Sequence, residues 1–121
     1  MDFKLHNVRI FTRDWDRAVG FYAETVGLPT HYADAETRWA QFDAGGVFLA
    51  IEELPPDDPE SDGLVGRFVG ATLEVEDIAA THEKLVSRGV EFAEPPTAQP
   101  WGGILAHFKD PDGNILTLLG E

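Results

Sequence analysis

The stretch that decides the fold is residues 8–27, which read VRIFTRDWDRAVGFYAETVG. Residues 8–12 alternate in polarity, which predicts a β-strand. Asp14 follows where a helix N-cap belongs, because its carboxylate can accept hydrogen bonds from the first helical turn. Gly27 is typical of the left-handed residue that ends a helix. The apolar side chains between them recur at helical spacing: Trp15, Ala18, Val19, Tyr22 and Val26.

The second half of the chain repeats this pattern. Residues 71–75 read as a strand, Asp77 stands at the start of a second helix and Gly89 at its end. Asp77 follows Asp14 by 63 positions, and Gly89 follows Gly27 by 62. Because the helix starts and the helix ends of the two units are separated by nearly the same number of residues, the pattern indicates an internal duplication.

Short strands are predicted after each helix. In the first half they cover 30–32, 37–42 and 47–52, with turns at 33–34 and 45–46. In the second half they cover 90–92, 103–109 and 115–119, and the sequence DPDGN at 110–114 predicts a hairpin turn. Each half is therefore βαβββ: one module spans about 1–54 and the other about 68–121. The Pro- and Asp-rich residues 55–67 are predicted to be an exposed linker.

Composition excludes several classes of function. The 9 Lys and Arg against 22 Asp and Glu give a net charge of −13, which argues against nucleic acid, because phosphate binding requires clustered cations. The same charge argues against an anionic membrane surface. Without Cys, disulfides, thiolate metal sites and Cys nucleophiles are excluded. No apolar run is long enough to span a bilayer and no secretion signal is visible, so we expect a cytoplasmic protein.

The order of these motifs resembles the vicinal-oxygen-chelate superfamily, which includes glyoxalase I, bleomycin-resistance proteins, fosfomycin-resistance transferases and extradiol dioxygenases. The resemblance covers essentially the whole chain and is carried by five features: Asp14, Phe21-Tyr22, Val26-Gly27-Leu28, the repeat of the first unit, and the DPDGN turn. It implies an α+β fold in which two βαβββ modules form a curved mixed sheet around a cavity. It also implies a single domain of residues 1–121, and a homodimer, since many members pair in this way.

The superfamily's enzymes hold a divalent metal ion with four side chains, usually His, Glu or Gln. By the resemblance, the corresponding positions here are Asn7, Ala50 (with Glu52 on the same face), Gly70 and Thr117. Asn and Thr are weak neutral ligands, whereas Ala and Gly side chains are none. We therefore expect no metal cofactor, and the sequence disfavours metal-dependent glyoxalase-type chemistry.

The histidines leave a different metal site open as an alternative. A divalent metal ion bound by His6, Glu52 and His107 would require a change in strand register, because His6 is one residue out of phase and is expected to face the helix layer. His107 is expected to face the cavity, where it or Glu74 is a candidate acid–base group. The other reading of His107 is a solvated histidine at a strand edge.

The side chains that share a strand face with the metal-ligand positions predict a ligand site with aromatic walls. An alternative role for Trp39 and Trp101 is packing in the core or at a dimer interface. Arg9 is expected to form an ion pair with Glu74 or Glu52. Aromatic walls with carboxylates suit a ligand that carries flat rings and cationic groups. The candidate ligand-binding residues are Asn7, Arg9, Trp39, Phe48, Glu52, Glu74, Trp101, His107 and Thr117.

Four functions remain on these grounds. The first is a small-molecule-binding protein without metal chemistry, which sequesters an aromatic or cationic compound such as an antibiotic. The second is a metal-dependent lyase, isomerase or dioxygenase with an atypical ligand set. The third is a metal-free enzyme, and the fourth is a regulatory or interaction module. The sequence favours the first, because it accounts for both the missing ligands and the aromatic residues.

Overall fold

Each half of the chain contains the predicted βαβββ order, to which the second half adds one short strand. The structure is a computed structural model that describes residues 1–59 and 61–121. It divides into unit 1, Met1–Val65, and unit 2, Gly66–Glu121. Each unit holds one mixed sheet. The predicted α+β fold class is therefore confirmed.

Unit 1 contains a four-stranded sheet in the order β1-β4-β3-β2, in which only the pairing of β1 with β4 is parallel. A short α2 (Ser61–Leu64) ends the unit. The other elements are β1 (Asn7–Thr12), α1 (Trp15–Gly20), β2 (Thr30–Asp34), β3 (Trp39–Asp43) and β4 (Phe48–Glu53).

Unit 2 contains a sheet in the order β5-β9-β8-β6, and a short β7 also pairs with β8. The pairing of β5 with β9 is parallel and the others are antiparallel. The elements are β5 (Phe68–Glu74), α3 (Ile78–Ser87), β6 (Glu91–Phe92), β7 (Thr97–Ala98), β8 (Ile104–Lys109) and β9 (Ile115–Gly120).

Both helices begin and end at the predicted residues. The Asp14 carboxylate accepts the N–H of Arg17 at 3.2 Å, and the Asp77 carboxylate accepts that of Ala80 at 3.0 Å. Gly27 and Gly89 both have φ of +87°, a conformation that costs glycine little. The first helix continues past α1 as a π-helical segment, Phe21–Val26, which the 3.6-residue periodicity does not reveal.

In each unit one face of the sheet is buried against its helix. In unit 1 the fully buried Tyr22 lies 6.2 Å from Phe42, measured between ring centroids. In unit 2 the first residue of α3, Ile78, packs so closely on Gly120 that a Cβ at that glycine would lie 2.6 Å from the Cβ of Ile78. The opposite face of each sheet is thereby left for other contacts.

The DPDGN turn has a second role beyond the hairpin. Asp110 is buried, and its Oδ1 accepts the backbone N–H groups of Asp112 and Asn114, both at 2.9 Å. Its Oδ2 accepts the Asn114 side-chain amide at 2.9 Å. The Asn114 Oδ1 in turn accepts the N–H of Gly66 at 2.8 Å and that of Arg67 at 3.3 Å. The turn therefore holds the strand ends of unit 2 and the segment that leads into β5.

Besides shifts of one to three residues at other strand ends, three segments differ from the sequence prediction. Residues 33–34 belong to β2, because the turn begins only after Asp34, whose carboxylate accepts the N–H of Glu36 at 3.0 Å. Segment 93–102 contains an additional strand, β7. The predicted linker 55–67, of which Glu60 lies outside the described residues, includes α2 and a buried Ser61 whose hydroxyl donates to the Asp58 carbonyl. No helix in the described part of the chain is long and apolar enough to cross a membrane.

Candidate functional site

The open face of the unit 1 sheet brings together five of the predicted ligand-binding residues: Asn7, Arg9, Trp39, Phe48 and Glu52. The strand register arranges this face in three rows. In order across the sheet, these rows are Asn7, Phe48 and Asp43; then Arg9, Ala50, Gln41 and Tyr32; then Phe11, Glu52, Trp39 and Asp34.

Polar side chains on this face pair with one another. The Arg9 guanidinium lies 3.4 Å from the Glu52 carboxylate and 5.5 Å from the centre of the Phe11 ring. Of the two partners that the sequence leaves open for Arg9, the structure thus shows Glu52. The Trp39 indole N–H donates to the Gln41 side chain at 2.9 Å, so the indole is oriented by a neighbour on its own strand.

Asp34 ends the third row as an ionised acceptor. The backbone N–H of Glu36 is the main cause that lowers the pKa of this carboxyl, with further hydrogen bonds from Thr37 and Tyr32. Because the shift is downward, Asp34 carries its negative charge throughout the neutral pH range. It therefore adds a fixed charge at the β2 end of the face.

Two histidines lie against Phe48, which the strand pattern does not predict. The His31 ring stacks on Phe48 at 4.5 Å, and the His6 ring lies 5.3 Å from it. His6 is exposed and its Nδ1 lies 2.9 Å from the Asn7 amide. The expectation that His6 faces the helix layer is wrong, because β1 begins only at Asn7 and the alternation does not extend back to His6.

A β-bulge in β2 explains why His31 and Tyr32 are missing from the predicted set. Thr30 pairs with Phe42, yet Tyr32 pairs with Gln41, so one residue of β2 is extra. A single extra residue reverses the face that the following side chains occupy. Tyr32 thus lies on the open face and is 50% exposed.

The open face of the unit 2 sheet carries three of the predicted ligand-binding residues: Thr117 in β9, His107 in β8 and Glu74 in β5. The His107 Nδ1 lies 2.8 Å from the hydroxyl oxygen of the buried Thr117. The edge of Phe68 approaches the His107 ring at 5.8 Å. The ring of His107 is thus held by two neighbours, although the residue is exposed.

Phe68 reaches His107 because β5 is irregular. Phe68 pairs with Ile115 and Thr72 with Thr117, so four positions of β5 correspond to two of β9. Gly70 lies within this irregular stretch with φ of +80°, which favours glycine. Phe68 is absent from the predicted set because the strand was predicted to begin only at residue 71, whereas β5 begins at Phe68.

Trp101 and Glu74 line an open groove in unit 2 with a volume of about 520 Å³. The Trp101 side chain is 64% exposed. The wall also contains Glu76, Glu121 and Leu119, and no Lys or Arg is among its described lining residues. The groove is therefore aromatic and acidic.

Gly103 lies directly against the Trp101 indole ring. A Cβ at Gly103 would lie 2.0 Å from the nearest ring carbon of Trp101. The loop that presents the indole is closed by two backbone bonds, from the Gln99 N–H to the Gly103 carbonyl at 2.8 Å and from the Gly102 N–H to the Gln99 carbonyl at 3.0 Å. The indole position thus depends on the absence of a side chain at residue 103.

We expect the Gly103→Ala variant to displace the Trp101 indole while the protein stays folded. The reason is that Cβ and ring atoms cannot approach to 2.0 Å, and an exposed indole can move at little cost. A shift in tryptophan emission with unchanged far-ultraviolet circular dichroism is the expected measurement. Gly63→Ala is the control, because a Cβ there meets no atom within 4 Å and the residue, like Gly103, does not have positive φ. An unchanged emission spectrum for Gly103→Ala would contradict this geometry.

Comparison with known proteins identifies the class that this fold and these open sheet faces define. The model of the Glyoxalase/Bleomycin resistance protein/Dioxygenase superfamily matches residues 4–118. The chain therefore belongs to that superfamily, and the predicted resemblance is confirmed.

Three similar proteins illustrate the relationship. A superfamily member from Sphaerobacter thermophilus DSM 20745 has 29% identity and a TM-score of 0.82, with 99% of this chain and 98% of that chain covered. The bleomycin resistance protein of Klebsiella pneumoniae is 28% identical over 115 residues, which are 89% of this chain and 85% of that protein. TnmS3, an antibiotic binding protein from Streptomyces sp. CB03234, has 29% identity and a TM-score of 0.79, with 98% and 96% covered.

The residues at the family's metal-ligand positions do not fit a metal ion. The side chains at Ala50 and Gly70 offer no ligand atom, the Asn7 amide nitrogen is hydrogen-bonded to His6 and the Thr117 hydroxyl to His107. Among residues 1–59 and 61–121, no three His, Asp or Glu side chains are grouped so that they could hold an ion. Of the alternative set, His6 lies beside Phe48 and Glu52 pairs with Phe11 and Trp39 in unit 1, whereas His107 belongs to unit 2.

Proposed function

We propose that this protein binds and sequesters an aromatic, cationic small molecule, such as an antibiotic, and performs no metal chemistry on it. The observation that carries the proposal is the groove in which the exposed Trp101 lies with three glutamates, and with no Lys or Arg among the lining residues that the structure describes. We also propose ligand contacts on each open sheet face taken by itself: Asn7, Arg9, Trp39, Phe48 and Glu52 on that of unit 1, and His107 and Thr117 on that of unit 2.

The groove has the size and charge that such a ligand needs. Its volume of about 520 Å³ is within the range of roughly 300–1,000 Å³ for pockets that bind drug-sized molecules. The face of an indole attracts cations through its quadrupole. Carboxylates at the same wall attract a cation and repel an anion. The groove therefore favours a ligand that carries both a flat ring and a positive charge.

The relatives support binding as the function. The Klebsiella pneumoniae relative is a bleomycin resistance protein and TnmS3 is an antibiotic binding protein. The side chains at the metal-ligand positions, Asn7, Ala50, Gly70 and Thr117, favour binding over the metal-dependent lyase, isomerase or dioxygenase alternative. A homodimer is part of the proposal, and light scattering of the full chain measures it.

Titration with metal-free bleomycin tests the proposal. We expect saturable quenching of tryptophan emission, with affinity that falls as salt concentration rises, because exposed charge pairs are screened. The anionic ring compound 8-anilinonaphthalene-1-sulfonate should not compete. Failure of bleomycin, and of a panel of other cationic aromatic antibiotics, to change the emission would overturn the proposal. Stoichiometric Zn, Ni, Mn or Fe after purification without chelator would favour the metal-dependent alternative instead.

The hydrogen bond between His107 and Thr117 favours a second candidate, metal-free acid–base catalysis. A neutral imidazole whose Nδ1 is bonded presents Nε2 for proton transfer. Chemical change of a bound compound that is abolished in His107→Gln would support this function over sequestration.

A further inference from the structure

The outer edge of the unit 2 sheet is interrupted between β6 and β7. Phe92 pairs with Phe108 and Thr97 pairs with Leu105. Four residues, 93–96, therefore stand opposite only two residues of β8. Residues 95 and 96 are both proline, which has no N–H to donate to a ladder. The segment consequently leaves the sheet and opens a cavity beside β8.

This cavity is small and separate from the Trp101 groove. Its volume is about 180 Å³ and its lining includes Glu94, Thr97, Gln99, Leu105 and His107. The described residues that line this cavity and those that line the groove do not overlap. Because drug-sized ligands need roughly 300 Å³ or more, the cavity has room for one compact group only.

Two of its polar side chains are committed to the loop itself. The Thr97 hydroxyl donates to the Pro95 carbonyl at 2.9 Å, and the Gln99 side-chain amide donates to the Thr97 carbonyl at 3.0 Å. These bonds shape the wall. Among the lining residues, the polar side chains left for a ligand are then the Glu94 carboxylate and the His107 imidazole.

His107 is presented to the cavity in a fixed orientation. Its Nδ1 is joined to the Thr117 hydroxyl at 2.8 Å, and Phe68 lies against the ring. Nε2 is therefore the ring atom available for recognition. It is a donor in one neutral tautomer and an acceptor in the other.

We propose that this cavity binds a primary carboxamide group. An ionised Glu94 only accepts hydrogen bonds and repels an anion. A primary carboxamide has N–H donors for Glu94 and a carbonyl that accepts from His107 Nε2–H. If Nε2 is instead unprotonated, the second amide N–H donates to it. A carboxylate ligand would face Glu94 unfavourably. An ammonium group could donate to Glu94, but in the tautomer with Nε2–H it would leave that His107 donor without an acceptor.

The test uses three probes of the same shape on the isotope-labelled full chain, followed by amide NMR shifts. These are benzamide, benzoate and benzylamine, which is a cation at neutral pH. Benzamide is expected to give saturable shifts centred on Thr97, Ala106 and His107, and to bind at least about fivefold more tightly than the other two, which is the effect of one net hydrogen bond.

Two variants test which side chains recognise the carboxamide group. His107→Leu is expected to weaken benzamide binding about fivefold. Glu94→Gln is expected to raise the affinity for benzoate until it is close to that for benzamide, because the charge that repels benzoate is removed. Glu91→Gln is the matched control, because it removes an exposed carboxylate from the same edge, paired with Lys109 outside the cavity lining, and should change nothing.

Several outcomes would overturn this proposal. They are the tightest binding by benzylamine, shifts that do not centre on β7 and β8, or equal benzamide affinity in wild type and both cavity variants. The proposal does not depend on the function assigned to the groove. If the bleomycin titration fails and benzamide binds as expected, the function proposed for the groove is overturned and the carboxamide site remains supported.

Discussion

Replacing Asp110 with alanine is expected to lower the free energy of unfolding by about 3 kcal/mol. The buried Asp110 carboxylate accepts three hydrogen bonds, two from backbone N–H groups and one from the Asn114 side chain. Hydrogen bonds to a charged group contribute about 1.5–3 kcal/mol each, and buried donors left without an acceptor add a further cost. The Asn114 amide would also lose the contact that aims its oxygen at Gly66 and Arg67.

Urea denaturation followed by circular dichroism measures this loss as a shift of the midpoint at constant slope. Asp110→Asn keeps an oxygen for the two backbone donors but places an amide opposite the Asn114 amide, so an intermediate loss is expected. Asp57→Ala removes an exposed acid from a turn of unit 1 and should change stability by less than about 0.5 kcal/mol. If Asp110→Ala were as stable as this control, the turn would not have the role described.

Replacing Trp101 with alanine is expected to weaken bleomycin binding by about 10- to 100-fold, as truncation of an aromatic anchor at the centre of a site typically does. The indole is 64% exposed in the free protein, so a ligand that covers it would bury a large apolar surface. Glu74 and Glu76 at the same wall add attraction for the cation. Calorimetry is the suitable measurement, because the substitution removes a fluorophore.

Val86→Ala is the control for this prediction. Val86 is an exposed apolar side chain of the same unit, 49% accessible, on α3 and outside the groove lining. Its truncation should leave the bleomycin affinity unchanged. Equal affinity of Trp101→Ala and wild type would mean that bleomycin, if it binds, does so elsewhere.

The sequence predicts those parts of the fold that local chemistry determines. Asp14 and Asp77 begin helices because their carboxylates can satisfy free N–H groups, and Gly27 and Gly89 end them because glycine adopts positive φ at little cost. The same logic identified the turn at 110–114. These signals need no knowledge of distant residues, and their repetition was sufficient to indicate the superfamily.

Much of the open face of unit 1 was also predictable, since regular alternation in β1, β3 and β4 places Arg9, Trp39 and Glu52 on one side. His31 and Tyr32 could not be predicted in this way, whereas Phe68 is in phase with Glu74 but precedes the predicted strand 71–75. His31 and Tyr32 reach their positions through the irregular pairing of β2, and a bulge is decided by the partner strand as much as by its own residues. The register of the pair, and not the sequence of one strand, determines these contacts.

The proline pair at residues 95 and 96 has a consequence beyond the cavity. β6 and β7 form one outer edge of the unit 2 sheet, and each has only two residues. A long continuous edge would offer a row of free backbone groups on which a strand of another molecule could add. Short edge strands and proline remove that template. This edge is thereby protected against strand-to-strand aggregation, a hazard for any protein that holds two sheets in a small chain.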